Sequence, residues 1–108
     1  MKLADNIFEA EVLKSDQPVL VDFFSDTCPP CKLLAPMMDK LAKAYEGRAK
    51  VYKADIYENS AAGKTYGINA VPTILLFNGG QLIKKWVGLQ KEQAFTEALD
   101  AQLSNEIK

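Results

Sequence analysis

The chain has 108 residues, 48% apolar and 25% charged, with a formal net charge of −1 and no histidine. That length fits one domain spanning residues 1–108, and its interspersed charges, without a Lys/Arg stripe, argue against a nucleic-acid surface. No apolar run approaches the length of a membrane span.

The N-terminal "MKLADNIFEAEVLK" carries charges every few residues and lacks the apolar core of a secretory signal, so a cytoplasmic location is expected. Lys2 to Ala4 is a candidate short strand. In "DNIFEAEVLK" (5–14), Ile7, Phe8, Val12 and Leu13 keep a rough helical period, with Asp5 as the expected N-cap. "PVLVDFFS" (18–25) is nearly all apolar and reads as a strand buried on both faces. From Pro30 to Tyr45, Leu34, Met38, Leu41 and Tyr45 recur at helical spacing, with Pro36 expected to kink the helix.

"AKVYKADIY" (49–57) predicts a second strand, and "NSAAGKTYG" (59–67) a short helix ended by Gly67. "VPTILLFNGGQLIKKWVG" (71–88) predicts a β-hairpin turning at Asn78-Gly79-Gly80. In "KEQAFTEALDAQL" (91–103), Phe95, Leu99 and Leu103 lie four apart on one helix face. Alternating α and β elements followed by a hairpin give an α/β architecture: a mixed sheet of four or five strands flanked by four helices.

The two cysteines, Cys28 and Cys31, enclose Pro29 and Pro30 at the start of the second helix. Cys28 precedes a proline and is pushed out of helical geometry, which suits an N-cap. Pro30 has no amide, so the Cys31 N–H is the donor aimed at the Cys28 sulfur. The positive end of the helix favours a thiolate there. Cys28 is therefore the expected nucleophile, and Cys31, one turn in, the resolving thiol. Two cysteines without histidine make a poor zinc site, so no metal is expected, and a strand leading into C-x-x-C reads as a redox pair. Asp22, inside an apolar strand, is expected to have a raised pKa.

Over nearly its whole length the chain resembles the thioredoxin family. The matching stretches are "VLVDFFSDTCPPCKLLAP", "VYKADI", "YGINAVPTILLFNGG" and "VG" at 87–88. The resemblance implies the thioredoxin fold and a protein disulfide reductase working through the redox-active Cys28–Cys31 disulfide, without a bound cofactor. It implies that Asp22 accepts the Cys31 proton with Lys53 as its partner. It further implies that Pro72 is a cis-proline facing the dithiol, and that Thr27, Val71, Pro72 and Gly88 line the substrate groove.

Implied partners are disulfide-bearing protein substrates and a thioredoxin reductase or equivalent, with the chain acting as a monomer. Two positions depart from the family's W-C-G-P-C: Thr27 replaces Trp, and Pro29 replaces Gly. Both intervening residues, Pro29 and Pro30, are prolines, and without the histidine of strong oxidases a reducing role is favoured. The departures motivate an alternative, a specialised redox protein with a narrow substrate range or its own reductase. A redox-inactive binding module is the third reading.

Overall fold

The computed structural model describes residues 2–107. Its elements run β1 (Lys2–Leu3), α1 (Asp5–Phe8), β2 (Val19–Phe24), α2 (Pro29–Ala44), β3 (Lys50–Asp55), α3 (Ser60–Thr65), β4 (Thr73–Asn78), β5 (Gln81–Val87) and α4 (Glu92–Ile107). A π-helical stretch, Glu9–Leu13, continues α1. The strands form one five-stranded sheet in the order β1-β3-β2-β4-β5. β3 is parallel to both β1 and β2, whereas β4 is antiparallel to β2 and β5. The expected mixed sheet with four flanking helices is present, in its five-stranded form.

β2 lies at the centre and is buried on both faces, as its unbroken apolar run predicts. Val19, Val21 and Phe23 face the layer closed by Phe8, Val12 and Ala62. Leu20 faces the opposite layer, closed by Leu34, Met38 and Leu41 of α2 and by Phe95 and Leu99 of α4. Alternation along the strand thus builds two apolar layers with the sheet between them. Asp22 shares the face of Leu20, so one carboxyl is sent into the α2 side of the molecule.

The hairpin turns where expected: Asn78 pairs with Gln81, and Gly79 and Gly80 supply φ of 62° and 81°. Both values lie in the left-handed region that a two-residue turn of this kind requires.

Asp5 is a correction. Ala4 is the N-cap residue of α1, with no side-chain cap. The Asp5 carboxylate instead accepts from the amides of Ala61 (3.0 Å) and Ala62 (3.2 Å) in the first turn of α3. The cap signal in the sequence was real, but tertiary packing directs it to a different helix's unsatisfied N–H groups. Beyond Phe8 the helix widens, with Lys14 N–H bonding to Glu9 O at 3.0 Å in place of α-helical pairing.

Candidate active site

The site begins with the order of residues after β2. Ser25 follows the strand and its carbonyl accepts from Cys28 N–H at 3.3 Å, turning the chain into α2. Cys28 takes extended geometry (φ −98°, ψ 107°) as the N-cap, with Pro29 and Pro30 as the first two helical residues. Neither proline costs an intrahelical bond, because the first amides of a helix have no partner within it. The Cys31 N–H points back to Cys28 Sγ at 3.2 Å, the donor that the double proline leaves. The first regular helical bond then runs from Lys32 N–H to Cys28 O at 3.2 Å.

Cys28 and Cys31 form a disulfide, with Cα atoms 5.2 Å apart. One turn of helix brings two cysteines at i and i+3 to that separation without displacing the backbone. Both are buried, Cys28 to 8% and Cys31 to 3% exposure, while Thr27 and Pro29 beside them are exposed.

A second loop faces the first. The Val71–Pro72 peptide is cis. The Val71 carbonyl oxygen lies 3.6 Å from Cys28 Sγ, within reach of a thiol proton. Gly88 N–H donates to Pro72 O at 2.9 Å, bringing the end of β5 alongside. Gly88 has φ 87°, so the position needs a glycine for its backbone conformation; a Cβ there would meet nothing within 4 Å. Thr27, Val71, Pro72 and Gly88, the residues expected to line a groove, lie in loops next to Cys28 and at the ends of β4 and β5. Thr73, which sequence reasoning missed, is buried, and its hydroxyl donates to Ala70 O at 2.6 Å, closing the turn before Val71. A hydroxyl directly after the proline was the available signal.

Behind the disulfide a cleft of about 460 Å³ runs between β2, β3 and α2, with Asp22, Cys31, Asp39 and Lys53 in its lining. Asp22 is 1% exposed and its Oδ1 has no hydrogen-bond partner. Burial pushes its carboxyl from 3.8 up to about 7, against the opposing pull of the Lys53 ammonium. Asp22 and Lys53 are register partners on adjacent parallel strands, so both side chains leave the same face.

Lys53 nonetheless makes its ion pair elsewhere. Its Nζ lies 2.9 Å from Asp39 Oδ1 on α2. Lys53, the expected partner of Asp22, therefore acts on it through its field. Asp39 went unnoticed in the sequence, although Cys31, Ala35 and Asp39 are four apart and so form one stripe along the helix.

Among the described residues no group of three or more His, Cys, Asp or Glu side chains is placed to hold a metal ion. No described helix is long and apolar enough to cross a membrane.

Comparison with known proteins points the same way as this geometry. The family model described as Thioredoxin matches residues 1–101. The chain is 40% identical over 102 residues to "Thioredoxin 1" of Nostoc sp., covering 94% of this chain and 95% of that protein. It is 43% identical over 101 residues to "Thioredoxin" of Acidithiobacillus ferridurans, with 94% of each chain covered. The thioredoxin of Pseudomonas aeruginosa is 39% identical over 103 residues, with 95% of each covered. A dithiol at a helix N-terminus, on a chain matched to one family almost end to end, leaves one conclusion: this protein belongs to the thioredoxin family and is a protein-disulfide oxidoreductase whose chemistry is dithiol–disulfide exchange at Cys28 and Cys31.

Proposed function

We propose that the protein works in the reducing direction, with Cys28 as nucleophile and Cys31 as resolving thiol. The observation that carries this reading is the Cys31 N–H held 3.2 Å from Cys28 Sγ at a helix N-terminus. A donor and the helix dipole both favour the Cys28 thiolate. The thiolate attacks a substrate disulfide, forming a Cys28–substrate bond and expelling one substrate thiolate. Cys31 then loses its proton to Asp22 across the cleft they share and attacks Cys28 Sγ. The second substrate thiolate leaves and is protonated. The substrate gains two electrons, and the protein is left with the Cys28–Cys31 disulfide.

A carboxyl ionising near 7 is matched to this task, because it is a base at neutral pH yet holds a proton well. Lys53 tempers that affinity, and Pro29 and Pro30 preset the helix start. The Val71 backbone ahead of Pro72, with Thr27 and Gly88 at the rim, is the edge on which an extended substrate segment pairs. The substrates are disulfide-bearing proteins, an external thioredoxin reductase or equivalent restores the dithiol, and no cofactor is bound. One domain spans 1–108 and acts as a cytoplasmic monomer.

The test is to present Cys31→Ser with disulfide-bearing proteins. A stable mixed disulfide through Cys28 is expected, resolved by mass spectrometry of the adduct. Adducts that survive Cys28→Ser, or none at all, would overturn the assignment of roles.

Thr27 and Pro29, both exposed beside Cys28, support a narrower second reading, that of a specialised redox protein. Losing a large apolar surface beside the sulfur changes what the groove can grip. Rapid turnover of insulin with an ordinary thioredoxin reductase would remove that reading.

A further inference from the structure

Two carboxylates compete for one ammonium in the cleft behind the disulfide. Asp22, on β2, is 1% exposed with an orphaned Oδ1. Asp39, on α2, is exposed, with a side chain 67% accessible. Lys53, on β3, stands in register with Asp22 yet pairs with Asp39 at 2.9 Å. Position along the strands favours Asp22, but solvation favours Asp39. Joining Asp22 would strip water from the ammonium and from its new partner, whereas at Asp39 both charges stay partly hydrated.

We propose that Asp39 is a positioning residue for the exchange reaction: by holding the Lys53 ammonium it keeps that cation off Asp22 and sets how readily the buried carboxyl takes up a proton. The other charged or titratable residues lining the cleft with Asp22 are Lys2 of β1, Asp26 of the loop after β2, and Cys31 and Lys32 of α2. Lys53 alone among the cations is both in register with Asp22 and held by a second acid. Releasing it gives Asp22 an opposite charge, which favours the carboxylate. The catalytic consequence rests on Asp22 being the proton acceptor for Cys31; the hold on Lys53 does not.

The experiment is to titrate the carbon-13-labelled Asp22 carboxyl by NMR in the full-length oxidised protein, where no free thiol interferes. Asp39→Asn is expected to lower the Asp22 midpoint by about 1 pH unit, and Asp39→Glu to restore it. In a Lys53→Met background the shift from Asp39→Asn should largely vanish. An unmoved midpoint would overturn the proposal. So would an equal shift with and without Lys53, because Asp39 would then act through its own charge. The pH profile of Cys31 attack on a Cys28 mixed disulfide separates the two layers. A profile that follows the Asp22 midpoint supports both. A midpoint that moves while the profile stays fixed supports the hold on Lys53 and removes Asp22 as the base.

Discussion

At the scale of single residues, the active site is set by what each polar group is denied. Asp22 is buried and its Oδ1 is denied a hydrogen bond, and burial lifts its carboxyl to about 7. That displacement has a thermodynamic consequence. The folded state binds more protons than the unfolded state between 3.8 and about 7, so stability falls as pH rises through that window and then levels. An Asp22→Asn variant of the oxidised protein removes the penalty. Urea unfolding should show it more stable than the parent above pH 7, by an amount on the order of 4 kcal/mol at most. The difference should shrink steadily towards pH 4, and a pH-independent difference would mean that Asp22 titrates normally.

The same scale shows which site chemistry could be read in advance. Two prolines forbid all but one donor to the Cys28 sulfur, so the Cys31 N–H contact follows from the residue types alone. Asp22 declares itself by being a carboxylate in an apolar strand. The loyalty of Lys53 does not, because it depends on how far the α2 stripe of Cys31, Ala35 and Asp39 lies from β3. No local pattern encodes that distance.

At the scale of elements, α2 carries the reaction by its first turn and the core by its remaining length. Its start is unusually constrained. Pro30 disfavours helical geometry in the preceding residue, yet Pro29 is already helical. The second proline also narrows the freedom of the reduced and unfolded loop. Pro29→Gly should therefore loosen the dithiol without removing any hydrogen bond to the sulfur. A reduction potential displaced by roughly 10 to 30 mV, measured against a glutathione buffer, is the expected result, the upper figure being a tenfold change in equilibrium constant. If potential and substrate preference both stay unchanged, Pro29 is a neutral replacement.

Elements with strong periodicity were legible almost to their ends: β2, α2, the hairpin and α4 lie within a few residues of their expected bounds. The N-terminal leg was not. Its apolar spacing suits an α-helix throughout, but Glu9–Leu13 adopts the wider π form and Asp5 serves α3. A buried Asn59 strengthens that connection, its side-chain amide donating to Leu3 O and Asp55 O at 2.9 Å each. Such long-range polar bonds decide the conformation of short segments, and sequence spacing carries no trace of them.

At the scale of the whole molecule, the fold follows from one strand. β2 is apolar on both faces, so it must be central and covered on both sides, and the alternating pattern around it supplies the covers. One edge of the sheet is β5, where Leu82, Ile83, Lys84 and Lys85 are all exposed. Two adjacent lysines on that edge oppose pairing with another chain through charge. The hairpin meets the active site along β4, where Ile74 is the register partner of Asp22, and at its end, through Gly88 and Pro72.

The inward side chain of β5 is Trp86, 7% exposed and packed edge-on against Phe95 with ring centroids 5.1 Å apart. It is the only tryptophan in the chain, and position 27, beside the reactive sulfur, holds threonine. The protein therefore carries an indole fluorophore that watches α4 rather than the dithiol. Its emission should stay nearly constant when the disulfide is reduced and change sharply when α4 leaves the sheet. A marked change on reduction alone would show that the two are coupled. Folding and redox state would here be separately readable in a single cuvette.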